Sequence, residues 1–106
     1  MGVLALKSDV SYYLDEYTNK INEATQQIKS NYIYIGFLLN ELANSENFSH
    51  EPYTIAEYAE NEFGFSKSLT YSMMKVSERF CHGMFLSDRF KNYGYSQLVE
   101  LLSVSD

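Results

Sequence analysis

The sequence predicts an all-α fold: a small helical domain with a long N-terminal helix and, at its centre, two short helices joined by a tight turn. Three observations carry this. Residues 8–46 are dominated by helix formers, with no proline and a single glycine. Residues 54–80 contain two amphipathic stretches, each opening on a capping residue, with Gly64 between them. Residues 84–103 then offer short helical pieces separated by Asn92-Tyr93-Gly94.

Within 8–46, the apolar positions Val10, Leu14, Tyr17, Ile21, Ala24 and Ile28 alternate steps of four and three, which keeps them on one helix face. Asp15, Glu16, Asn19, Lys20, Glu23 and Gln26 fall on the opposite, solvated face. The stripe covers only about three heptads, short for a sustained coiled coil, yet this long helix is the natural candidate surface for a homodimer. At Ser30-Asn31 the register breaks, and a second helix is predicted from Tyr32, Ile35, Leu39 and Leu42, supplemented by Ile33, Phe37 and Leu38. Apolar residues on so many sides mark a central element. Gly36 in its middle lowers helix propensity by about 1 kcal/mol relative to alanine, a cost that predicts another backbone packed closely there, under the central helix pair. Residues 43–53, rich in Asn, Ser, His and Pro, read as a loop anchored by Phe48.

Thr54 is an N-cap whose partner Glu57, three residues on, completes a capping box. The helix it opens carries Ile55, Tyr58, Ala59 and Phe63 on one side and ends at Gly64, which takes the left-handed conformation at little steric cost. Ser66 caps the next helix, with Leu69, Met73, Val76 and Phe80 spaced four, three, four. Helix, glycine turn, helix over 54–80 is the pattern of the DNA-binding helix-turn-helix, whose second helix offers its N-terminal polar residues to the major groove. On that reading Lys67, Ser68, Thr70 and Tyr71 meet bases or phosphates, and Lys75 and Arg79 touch the backbone farther along. Met73 belongs to the core stripe, while Met74 sits off it, partly exposed on the functional face. Cys81-His82-Gly83 ends the helix, Met84–Phe90 is expected to form another short one with Ser87 or Asp88 near its start, and Ser96 to cap a last helix that turns Leu98, Leu101 and Leu102 inward.

Composition narrows the function classes. At 106 residues, one domain spanning 1–106 is expected, without room for an elaborate enzyme cleft. The net charge of −6 argues against coating nucleic acid by bulk electrostatics. Its distribution is uneven: residues 1–62 hold three Lys against ten acids, net −7, whereas residues 63–91 hold five cations against two acids, net +3. One cysteine, Cys81, excludes an intrachain disulfide and fits a reducing compartment, the cytoplasm by default. No apolar run approaches the roughly twenty residues of a membrane span, and VLAL is too short for a signal-peptide core. His50 and His82 have no second ligand at metal-binding spacing, and Cys81 and His82 point about 100° apart on a helix. With no phosphate loop or nucleophile elbow either, no enzyme, metal or cofactor is expected.

The segments NYIYIGFLLNELANSENF, YTIAEYAENEFGFSKSLTYSMMKVSERF and YSQLVELLSVSD together resemble a group of small helix-turn-helix proteins of phages, plasmids and integrative elements of low-GC Gram-positive bacteria. The likeness covers roughly residues 20–106 and implies an all-α fold and DNA binding in regulation or replication. Three departures stand out. Relatives have a Gly-Tyr pair where this chain has Glu51-Pro52; they carry Ser or Thr and then Arg where this chain has Leu69 and Ser72; and they often continue into a basic segment after the SQLVELL helix. Double-stranded DNA is the first expected partner. The alternative is that the same fold binds protein, as a small acidic inhibitor of a host nuclease such as a CRISPR effector, motivated by the acidic first half and the missing arginine.

Overall fold

A computed structural model describes the backbone of residues 3–104 and the side chains from Tyr13 to Val104. Helix α1 runs unbroken over Val3–Ala43, a rod of about 61 Å at about 1.5 Å per residue. The expected break at Ser30-Asn31 is absent. Neither residue forbids helical backbone; what changes there is the surroundings. Every described side chain from Tyr13 to Ile28 is exposed, whereas Ile33, Gly36 and Leu39 are buried. The first half of α1 is therefore a free arm and the second half the spine of a packed body. That shape accounts for principal extents of 71 × 33 × 21 Å and a radius of gyration of 19.2 Å, against about 13 Å for a compact chain of about 100 residues. Val10, the first residue of the expected stripe, lies outside the described side chains.

Inside the expected loop, Ser45 caps a single helical turn, α2 (Glu46–Ser49), by accepting from the Phe48 N–H at 3.2 Å. Phe48 packs edge-on to Tyr58 and belongs to the core beside it. Helices α3 (Ile55–Phe63) and α4 (Lys67–Phe80) follow. Where a short helix over 84–90 was expected, the chain forms a small hairpin, β1 (Cys81–His82) pairing antiparallel with β2 (Phe85–Leu86), then a 3-10 turn at Asp88–Phe90. Gly83, at φ 60°, occupies the first position of the two-residue connection, which demands positive φ in a type II′ turn. The last helix, α5 (Tyr95–Leu101), starts two residues earlier than expected: Gly94, not Ser96, is its N-cap, its N–H donating to Gln97 Oε1 at 2.8 Å.

The core has two parts with α4 between them. Ile33, Val76, Phe80 and Leu98 form one, covered by the hairpin and α5. Leu39, Ile55, Ala59 and Met73 form the other, covered by α2 and α3. Where α1 and α4 meet, Gly36 is the point of closest approach: a Cβ there would fall on the Met73 carbonyl oxygen and lie 2.7 Å from the Met73 carbonyl carbon. Four residues along, Asn40 Nδ2 donates to the Met74 carbonyl at 2.9 Å and fixes the register of the two helices.

Candidate nucleic-acid interface

The candidate site is built by three local devices. Thr54 Oγ1 accepts from the Glu57 N–H at 3.1 Å while Glu57 Oε1 accepts from the Thr54 N–H at 2.8 Å, so α3 begins on a complete capping box. At its far end Gly64, φ 74°, sends its N–H to Glu60 O and lets Phe65 N–H reach back to Ala59 O, which closes the helix and reverses the chain. Ser66 Oγ then accepts from the Leu69 N–H at 3.0 Å and starts α4. The connection between the two helices is only Gly64-Phe65-Ser66.

Helix α4 is sharply two-sided. Met73 and Val76 are fully buried, as is Thr70. Lys67, Ser68, Lys75, Glu78 and Arg79 are exposed, and Tyr71, Ser72 and Met74 are half-buried at the margins. The placement of Thr70 corrects the expectation that it meets DNA. At about 100° per residue it projects beside Ser77 on the packed side, where its Oγ1 donates to the Ser66 carbonyl at 3.0 Å. Arg79 is exposed but engaged: its guanidinium donates to the Leu102 and Val104 carbonyls at 3.1 and 2.8 Å and ties α4 to the segment after α5. Lys67 and Lys75 have no hydrogen-bond or ion-pair partner among the described residues. Two of the seven candidate residues therefore serve the fold, and the remaining five share one arc of the helix, Lys67, Ser68 and Lys75 exposed on it and Tyr71 and Met74 half-buried.

The electrostatic surroundings are mixed. A shallow cleft between α3 and α4, lined by Thr54, Ala56, Glu57, Glu60, Lys67 and Tyr71, sets two carboxylates beside Lys67. Lys29 of α1 donates to the Lys91 and Tyr93 carbonyls at 3.0 and 3.1 Å, pinning the turn that precedes α5. Cys81, half-buried with its thiol pushed up by burial, stays protonated near neutrality. Tyr95, whose ring meets Tyr32 edge-on at 4.9 Å between centroids, has its phenol pushed up to about 12, by burial first and by Tyr32 second.

Two features had little or no sequence signal. The hairpin tip exposes Phe85 at 72 %, but two-residue strands are too short for an alternating pattern; Gly83 was the available clue. An apolar groove of about 470 Å³, lined by Ile35, Leu38, Leu39, Leu42, Tyr58, Phe63 and Phe65, runs between α1 and the α3–α4 turn. Phe63, expected on the packed face of α3, is 54 % exposed at its rim, and Ala56 is buried instead. Among the described residues no helix is long and apolar enough to cross a membrane, and no three His, Cys, Asp or Glu side chains gather as a metal site. No family model matches the chain, and no curated protein or solved structure matches it.

Proposed function

We propose that the chain binds double-stranded DNA, laying the exposed arc of α4 in the major groove with α3 above it, and that it serves a mobile genetic element as a regulatory protein. The observation that supports this most directly is the α3–α4 unit: a three-residue turn holds α4 against α1 so that its buried side is fully used, while Lys67, Ser68 and Lys75 are exposed together, with Tyr71 half-buried beside them. Lys67 and Ser68 stand in the first turn of α4, where base-edge contacts are made, and Lys75 two turns on suits a phosphate. With few cations and Glu57 and Glu60 nearby, non-specific affinity is low, so discrimination between sequences depends on those few side chains.

Selection from a pool of random duplexes at low salt tests the reading. A recovered consensus that the chain shifts, and that Lys67→Ala shifts more weakly, is the expected outcome; recovery of no enriched duplex sinks it.

A second reading is favoured by one observation, the carboxylates of Glu57 and Glu60 in the cleft beside Lys67 and Tyr71. An acidic rim of this kind suits a cationic protein partner, such as the nucleic-acid channel of a host nuclease. Stoichiometric co-elution with a purified nuclease, lost on Glu57→Lys/Glu60→Lys, is what that reading expects.

A further inference from the structure

The free arm of α1 and the apolar groove beside its second half are two halves of one surface. Leu14, Tyr17, Ile21 and Ile28 are between 51 % and 62 % exposed, too apolar and too regular a stripe for an arm that touches only water. The heptad spacing that relates these residues continues, through a single polar position at Asn31, to Ile35, Leu38 and Leu42, which line the groove. The arm meets its own body at its end, where Thr25, Gln26 and Ile28 line a cleft with Gly94–Gln97, and the groove lacks a helix in it.

We infer that two copies of the chain pair antiparallel along α1, the arm of each lying in the groove of the other, with Leu14 opposite Leu38 of the second copy and Tyr17 opposite Ile35. This deepens the DNA reading and rests on it for the choice among registers. In this arrangement Ala24 meets Ile28, and the polar layers are the two symmetry-related ones that set Ile21 against Asn31. The flanking positions carry no like charges: Lys20 faces Tyr34, Gln27 faces its own copy, and Tyr13 faces Glu41. The body of one copy stands beside the arm of the other, where every described side chain from Tyr13 to Ile28 is exposed in the single chain. A parallel pair joins the arms to each other and the bodies to each other, so neither groove receives an arm.

The register sets a distance. Contacts of Gly36 with Met73 and of Asn40 with Met74 put the middle of α4 level with Leu38. Leu38 of one copy is level with Leu14 of the other, so the two α4 helices stand about 24 residues apart along the axis, about 36 Å at about 1.5 Å per residue. Successive major grooves on one side of B-DNA are about 34–36 Å apart. Slipping the pair by one heptad changes the separation by about 10 Å and loses that match. The two-fold axis of such a pair, perpendicular to the plane of the two α1 helices, carries both α4 helices to the same side, as two half-sites on one face of a duplex require.

The test uses disulfide trapping in the full chain. With Cys81→Ser as background, Leu14→Cys and Leu38→Cys variants are made singly, checked for wild-type circular dichroism, and oxidised alone and as an equimolar mixture. Disulfides need Cα atoms within about 7 Å, so the expected result is a covalent dimer from the mixture and none from either variant alone. Trapping of Leu14→Cys with itself, which signals a parallel pair, overturns the proposal, as does a sedimentation mass equal to the 12.3 kDa chain at tens of micromolar protein. Ile21→Asp should halve the sedimentation mass while leaving the body folded; a dimer that survives it also contradicts the pairing. Trapping is read without DNA, so a trapped dimer that selects no duplex counts against DNA binding alone, and duplex binding without trapping counts against the pairing alone.

Discussion

Thr70 and Lys67 are three residues apart on one helix and separate the two jobs of α4. Thr70 is fully buried and bonded to Ser66, so Thr70→Val is expected to cost about 1 kcal/mol of stability in urea denaturation while leaving DNA affinity unchanged. Lys67→Ala should do the reverse. Both are polar residues in the first turn, and only the angular position relative to Met73 and Ser77 tells them apart. Gly36 was more legible, because a helix-weakening residue in the most apolar stretch of the chain implied a close backbone, and the Met73 carbonyl is that backbone. Gly36→Ala should lower stability by at least about 2 kcal/mol, as overpacking against a main chain does. Tyr95 had no signature at all, since its burial depends on Tyr32 far away in sequence. Its hydroxyl is buried without a hydrogen-bond partner among the described residues. The folded chain keeps that proton up to about 12, while the unfolded chain releases it from its ordinary value of 10.0. The folded state therefore holds more protons across that window, and stability falls as pH rises through it. Tyr95→Phe should flatten that fall and raise the urea midpoint at neutral pH.

At the scale of elements, local chemistry was readable wherever a cap or a glycine announced itself. Thr54 with Glu57, Gly64 and Ser66 each do what their types and spacing imply, and Thr54→Ala should cost about 1 kcal/mol, measurable in the same denaturation series. Signals failed where two residues competed for one role. Ser96 has a capping side chain, yet Gly94 starts α5, because Gln97 can bond the Gly94 N–H and Tyr95 then turns inward onto Tyr32. The apparent break at Ser30-Asn31 was a change of neighbours read as a change of backbone: the periodic pattern records what a helix face touches, and α1 passes there from arm to body. The hairpin at 81–86 escaped because its strands have two residues each.

For the whole molecule, the all-α architecture with its long first helix followed from composition and periodicity, whereas its elongation did not, because no local pattern reports how far a helix overhangs its own body. The same limit applies to the site. The exposure of Lys67, Ser68 and Lys75 on α4 was legible in the sequence, but the burial of Thr70 against the body and the commitment of Arg79 to the Leu102 and Val104 carbonyls depend on packing between distant segments. What remains outward is a small cationic set on an acidic chain of net charge −6, and this makes salt dependence the most direct test of the central claim that α4 reads DNA. Binding to the selected duplex is measured over a series of salt concentrations for the wild type, Lys67→Ala and Lys75→Ala. The account predicts a linear fall of log affinity with log salt, with a slope reduced by about 1 in whichever lysine variant loses a phosphate contact. Equal slopes in all three proteins, or no binding to any duplex at the lowest salt, would contradict it.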